Sequence, residues 1–428
     1  MERWDDPAGY TLTEIVVLVA AGAILVITSV SGFLERIWLT EPFVAAVFGV
    51  LLGRFFIGPV DLTEPAFLIF LELTLALVLF SDASRVSVQR VRGTYTWPAR
   101  MLGLGLPLAI GLGTAAAAWL LGLPLGFALL LGVVLAPTDA ALAEPVLENK
   151  SLPKRVRQTL NIESGLNDGL AVPALLIAIA LLEAEEGMVS ARGAVLVFVQ
   201  QLGVGIVGGI ALGLLGAFLI GRGGERGWMN PLHQKIAALS LALAGFAAVQ
   251  LLGGSGFVAV FIAGGLMSHR IEMRPDYLYD FAETEGHIMV TLAFLFVGAG
   301  PVTEMIDGAI SWNAVFLALV ALVIVRPIAI WLSLIGQKLM PSTVAFLGWF
   351  GPRGLATIVF YLLAVEELPE VPSLVTEAVI ATMVLSIVLH GITAVPASAW
   401  LARKFEAMED EEDMPEMGES IEFPTRKG

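Results

Sequence analysis

The feature that most constrains this chain is a series of apolar runs, each about 17 to 25 residues long, separated by short clusters of glycine, proline and charge. A helix of that length crosses the hydrocarbon core of a bilayer, and only a helix or a closed barrel satisfies its backbone there. The punctuation predicts thirteen membrane helices, over residues 14–33, 42–58, 66–83, 98–122, 125–147, 154–182, 193–221, 235–252, 256–268, 281–300, 312–337, 341–365 and 372–401. Only 15% of the 428 side chains are charged and 57% are hydrophobic, against about 25% charged in a soluble domain. The predicted fold class is therefore an all-α polytopic membrane protein.

Lysine and arginine in the connections orient it, because short cytoplasmic loops carry the positive charge. With the N-terminus outside, nineteen of the 24 lysines and arginines fall on the inner side, in seven connections that begin at Arg36 and end in the tail. A missing or split span would reverse every later loop. The expected layout is an extracytoplasmic segment 1–13, a transmembrane domain 14–401 and an acidic cytoplasmic tail 402–428, in an inner (plasma) membrane. The acidic start Met1 to Asp6 lacks the basic flank of a cleaved leader. Nine acids from Glu406 to Glu422 supply much of the net charge of −15, and this segment reads as solvated and disordered.

That charge excludes nucleic acid as a partner. The absence of cysteine excludes thiolate nucleophiles and thiolate metal sites. Neither a cofactor nor an enzymatic reaction is expected.

Charges inside a membrane span cost several kcal/mol unless they pair or line a hydrated path, so each is a candidate functional residue. The fifth span reads Pro137-Thr138-Asp139 at its middle, where proline breaks the helix and frees backbone groups. Freed carbonyls and the Thr138 hydroxyl are hard oxygen ligands suited to an alkali cation. The bland reading is a kink with Asp139 capping the second half-helix. The sixth span carries Glu163, Ser164, Asn167 and Asp168; at helical spacing Glu163 stacks on Asn167 and Ser164 on Asp168, a polar face that cannot look at lipid. Glycines 165 and 169 let another helix approach, so Asp139 and Asp168 are expected to meet at the membrane centre. In the twelfth span Gly351-Pro352-Arg353-Gly354 is a second break with an ion at it. Broken spans in both halves of a chain point to an inverted-repeat transporter with its site at their crossing. Arg326 is a further buried cation, and Glu163 is the acid available to one of the two arginines. Glu72 in the third span lies either on a cation path or in a helix interface. Asp82 and Arg85 anchor that span at the inner surface, His390 reads as a satisfied core histidine, and Glu366, Glu367 and Glu370 form a solvated outer turn.

These motifs, in this order and spacing, resemble the monovalent cation:proton antiporters, in particular the NhaP-type sodium/proton antiporters related to the animal sodium/proton exchangers. The resemblance covers nearly the whole chain. It implies a homodimer, with helices at about 14–83 and 193–268 in a dimer domain, and a six-helix core at about 98–182 and 312–401 that moves like an elevator. It further implies that Asp168 binds cation and proton, with Asn167 its neutral neighbour. Ser164 and Thr138 join Asp168 as Na⁺ ligands, Asp139 is the acid at the crossing, and Glu163 pairs with Arg353. Where many relatives have proline after the Thr-Asp pair, this chain has Ala140. Electrogenic relatives have a second aspartate where Asn167 stands, so the expected exchange is electroneutral, one Na⁺ or Li⁺ for one proton. Potassium/proton exchange by the same fold is the nearest alternative, and a cation channel a more distant one.

Overall fold

Proline, glycine and small polar caps decide where the helices of this chain begin, widen and stop. The computed structural model describes residues 12–36, 40–85, 96–270, 276–308, 310–407 and 415–417. Residues 1–11 of the expected outer segment and most of the expected tail lie outside them. In chain order the helices are α1 (Leu12–Arg36), α2 (Glu41–Leu52, running on to Ile57), α3 (Pro65–Arg85), α4 (Thr96–Leu121), α5 (Leu125–Val134), α6 (Ala140–Leu147), α7 (Lys154–Glu185) and α8 (Ala191–Glu225). After them come α9 (Pro231–Leu251), α10 (Gly256–Arg270), α11 (Asp276–Val297, prolonged to Asp307), α12 (Trp312–Leu334), α13 (Pro341–Trp349), α14 (Leu355–Glu367) and α15 (Ser373–Glu406). No strand occurs among the described residues, and eight of the helices are long and apolar enough to cross a membrane.

Local chemistry accounts for these limits. Prolines open α3, α9 and α13, where a missing N–H has no helical partner to lose. Ser190, Asn230 and Ser311 cap α8, α9 and α12, accepting from Gly193, His233 and Asn313 N–H at 3.1, 2.9 and 3.2 Å. Within α12, Pro327 cannot donate to the preceding turn, and residues Ala321–Val325 open into a wider turn just before Arg326.

Large apolar side chains face outward along the helices: Leu18 and Phe56 are 73% exposed and Phe218 53%. Such surface suits lipid, and the exposed Trp119, Trp228 and Trp312 at helix ends suit the lipid–water boundary.

By contact the helices sort into two groups. One holds α1 to α3 and α8 to α11; the other holds α4 to α7 and α12 to α15, meeting the first mainly where α7 touches α3, α8 and α10. Packing in both groups depends on glycine. A methyl group on Gly49 or Gly298 would run into backbone of the facing helix, so α2 and α11 touch backbone to backbone. Gly132 of α5 stands in the same relation to α4, where a methyl would lie 2.7 Å from the Ile110 carbonyl. At the seam between groups Gly165 rests on Asp82, and Gly169 on the Phe261 ring. Asp82 and Arg85, at the end of α3, are both buried, each 7% exposed.

Candidate functional site

Two non-helical linkers meet between the half-helices α5/α6 and α13/α14. The first, Leu135 to Asp139, exists because Pro137 ends α5; the second, Phe350 to Gly354, because Gly351 and Pro352 end α13. They are joined directly by a backbone bond from Asp139 N–H to the Pro352 carbonyl, 2.7 Å.

Every broken helix leaves amides bare at one end and carbonyls at the other. A single acid meets the amides. Asp139 accepts from Ala141 N–H through Oδ1 (2.7 Å) and from Leu355 N–H through Oδ2 (2.9 Å), so one carboxylate caps α6 and α14 together. Two arginines meet the carbonyls: Arg326 donates to Phe350 O (3.3 Å) and Arg353 to Gly351 O (2.7 Å). Gly354 is required here, since a methyl group on it would lie 2.6 Å from Asp139 Cγ. Gly354→Ala should therefore push the acid off one helix end. The amide at that end, of Ala141 or Leu355, should then exchange with deuterium at least about tenfold faster than in the parent protein.

Against this crossing lies the polar face of α7. Arg326 Nη1 and Nη2 each stand 3.0 Å from an oxygen of Glu163, a bidentate pair in which both residues are 3% exposed. Glu163 is thus paired with Arg326, not with Arg353 as the resemblance implied. The reason is reach. Arg326 leaves a continuous helix just after its widened turn and extends across the end of α13 to α7, whereas the Arg353 guanidinium folds back onto its own linker at Gly351 O. Arg353 is nevertheless 1% exposed and within the field of Arg326, Glu163 and Asp168.

Thr138 holds the rest together. Its N–H donates to Asn167 Oδ1 (3.3 Å), its hydroxyl lies 3.2 Å from Ser164 Oγ and 3.4 Å from Glu163 Oε2, and Asn167 Nδ2 donates to Thr138 Oγ1. Asn167 also reaches Glu163 Oε1 at 3.4 Å. Asp168 follows Asn167 on the same buried stretch of α7 and is 7% exposed. The structure thus gathers Thr138, Glu163, Ser164, Asn167 and Arg326 into one hydrogen-bonded cluster, with Asp168 beside it and the Asp139 carboxylate turned to backbone amides. Glu72 belongs to a different neighbourhood, half-buried on α3 in the field of Glu366 and Glu367 at the C-terminal end of α14.

A broken-helix crossing faced by a polar helix stripe recurs among secondary transporters. The transmembrane sodium/hydrogen exchanger family matches residues 20–400. The chain belongs to that family. Among curated exchanger relatives, the K(+)/H(+) antiporter NhaP2 of Shewanella sp. strain MR-4 is 29% identical over 357 residues, 77% of this chain and 61% of that protein. The K(+)/H(+) antiporter NhaP of Alkalimonas amylolytica is 28% identical over 394 residues, 90% of this chain and 66% of that protein. The chain therefore spans somewhat under two thirds of the length of these relatives. The fold matches that of the sodium proton antiporter MjNhaP1 from Methanocaldococcus jannaschii at pH 8, with a TM-score of 0.72 over 92% of this chain and 99% of that one at 19% identity.

Sequence reasoning missed the carbonyls of Phe350 and Gly351 as partners of the arginines, and Ser386, whose hydroxyl receives the Arg353 N–H at 2.6 Å. Its signal was a small polar side chain one turn before His390 on an apolar helix. The tail was misjudged too. Glu416 is 1% exposed, its Oε1 accepts from Met340 N–H at the start of α13 (2.8 Å), and Arg155, stacked on Trp97, donates to Pro415 O (2.6 Å). A segment expected to be wholly solvated contributes a buried carboxylate.

Proposed function

We propose that this chain exchanges a monovalent cation for a proton across a membrane by alternating access, with Asp168 the group that carries one or the other. The observation that carries this reading is the placement of Asp168. It is a buried acid on α7, next to a crossing whose backbone charges are already matched by Asp139, Arg326 and Arg353. A carboxylate in that position binds either a proton or a cation, and competition between them couples the two fluxes without further machinery. Ser164 and Thr138 add hard hydroxyl oxygens, suited to Na⁺ or Li⁺. Neutral Asn167 beside Asp168 favours one-for-one, electroneutral exchange. Potassium is the second reading, and the names of the Shewanella and Alkalimonas relatives favour it.

The helix group α4 to α7 and α12 to α15 carries the site and moves as the elevator. The group with α1 to α3 and α8 to α10 supplies the contact of a homodimer. A thirteen-span reading with the N-terminus outside and the tail inside, in the plasma membrane, is supported by the lysines and arginines of alternate connections.

Purified protein in liposomes with an acid interior tests the reading. Addition of Na⁺ or Li⁺ should dissipate the pH gradient, with K⁺ and Rb⁺ giving the competing ranking. An imposed membrane potential should leave the rate unchanged. A cation conductance that follows potential without proton movement would identify a channel and end the proposal.

A further inference from the structure

One face of α15 carries Ser386, His390 and Thr393, spaced as neighbours on successive turns. None of them belongs to the ion cluster, yet all three grip the second break. Upstream of it, His390 Nε2 lies 2.8 Å from the Trp349 carbonyl, the last residue of α13. The Trp349 ring stacks on the imidazole with centroids 5.3 Å apart, and its Nε1–H donates to Thr393 Oγ1 at 2.8 Å. Downstream, Ser386 Oγ accepts the N–H of Arg353 at 2.6 Å. The two holds are linked, because His390 Nδ1 lies 3.2 Å from Ser386 Oγ and 2.8 Å from Ser386 O.

Proton placement is compatible with this in either charge state. With the ring neutral and its hydrogen on Nε2, Nδ1 accepts from the Ser386 hydroxyl; with the ring protonated, Nδ1 donates to the Ser386 carbonyl. Nε2 donates to Trp349 O in both. The charged groups near the ring are Arg353, on the linker it pins, and Arg326, on α12. His390 is 2% exposed, so the contact is made in a dry environment where each bond holds firmly.

A five-residue non-helical segment has little of its own to keep it straight. Its two ends set where the Arg353 guanidinium and the α14 N-terminus point. We propose that His390 and Ser386 are positioning residues of the exchange site, clasping both ends of the second break so that Arg353 and the Leu355 amide stay aligned with Asp139 and the acids of α7. The proposal deepens the antiport reading and rests on it for its transport consequence.

The test uses the full chain in vesicles and in detergent, with His390→Leu, Ser386→Ala and the rescue variant His390→Gln, whose amide nitrogen restores a donor to Trp349 O. Hydrogen–deuterium exchange over residues 349–356 is read first. His390→Leu and Ser386→Ala should speed it at least about tenfold, while His390→Gln stays within about twofold of the parent. In transport, the two clasp-breaking variants should shift the pH profile of exchange and raise the cation concentration for half-maximal rate about fivefold or more, because the field around Asp168 is no longer fixed. A variant that is merely less stable would lose amplitude with the profile in place. Unchanged amide protection in His390→Leu, or equal impairment in His390→Leu and His390→Gln, overturns the clasp. Absence of any exchange in the parent protein overturns the antiport reading instead, and amide protection still decides the clasp.

Discussion

Asp168→Asn should reduce cation-dependent proton flux to that of protein-free vesicles while leaving the protein folded. Asparagine has nearly the volume of aspartate, and Asp168 sits where α7 is already polar and buried, so packing changes little. What disappears is the capacity to be either protonated or negatively charged, on which the competition between ions depends. Asp139 cannot stand in for it, because its two oxygens cap α6 and α14. The measurements are fluorescence reporting of the pH gradient in liposomes, and thermal unfolding of the purified variant. Sodium-dependent flux persisting in a folded Asp168→Asn protein would transfer the role to another residue.

The second large effect concerns stability. Removal of one member of a buried ion pair strands the other charge, at about 3–5 kcal/mol, whereas removal of both is often neutral. Arg326→Leu should therefore destabilise the protein by that order, by leaving Glu163 charged beside Thr138 and Asn167 and the Phe350 carbonyl without its donor. The double variant Glu163→Leu with Arg326→Leu should recover most of the loss. Pairing Glu163→Leu with Arg353→Leu should not, because the Arg353 guanidinium bonds Gly351 O and not Glu163. Melting temperatures of the single and double variants in one detergent give the coupling directly. Equal recovery with both arginines would contradict the geometry of the cluster.

Much of this site is legible along the chain. Pro137 and Gly351-Pro352 mark the two breaks because proline and glycine act on the backbone locally. The polar face of α7 follows from helical spacing alone, and both require no knowledge of the fold. The partner of Glu163 is different. Arg326 and Arg353 lie on separate elements, and the choice between them depends on where a widened turn aims one guanidinium and how a short linker folds back the other. Asp139 was readable as a cap for α6, yet its second amide comes from Leu355, 216 residues away. His390 read as ordinary core for the same reason, since its bond to Trp349 joins two helices whose contact no periodicity announces. The acidic tail misled through its composition. A run of acids usually stays in water, and one of them, Glu416, does not.

That buried acid has a bearing on how the protein is made. Met340 and α13 leave the ribosome long before Glu416, which follows α15, so the first turn of α13 is inserted without its cap and waits through the synthesis of two further helices. The start of the half-helix that leads into the second break is thus completed by a late part of the chain. A ribosome that stalls or a protease that cuts between Glu406 and Pro415 would release a product with all fifteen helices and an uncapped α13.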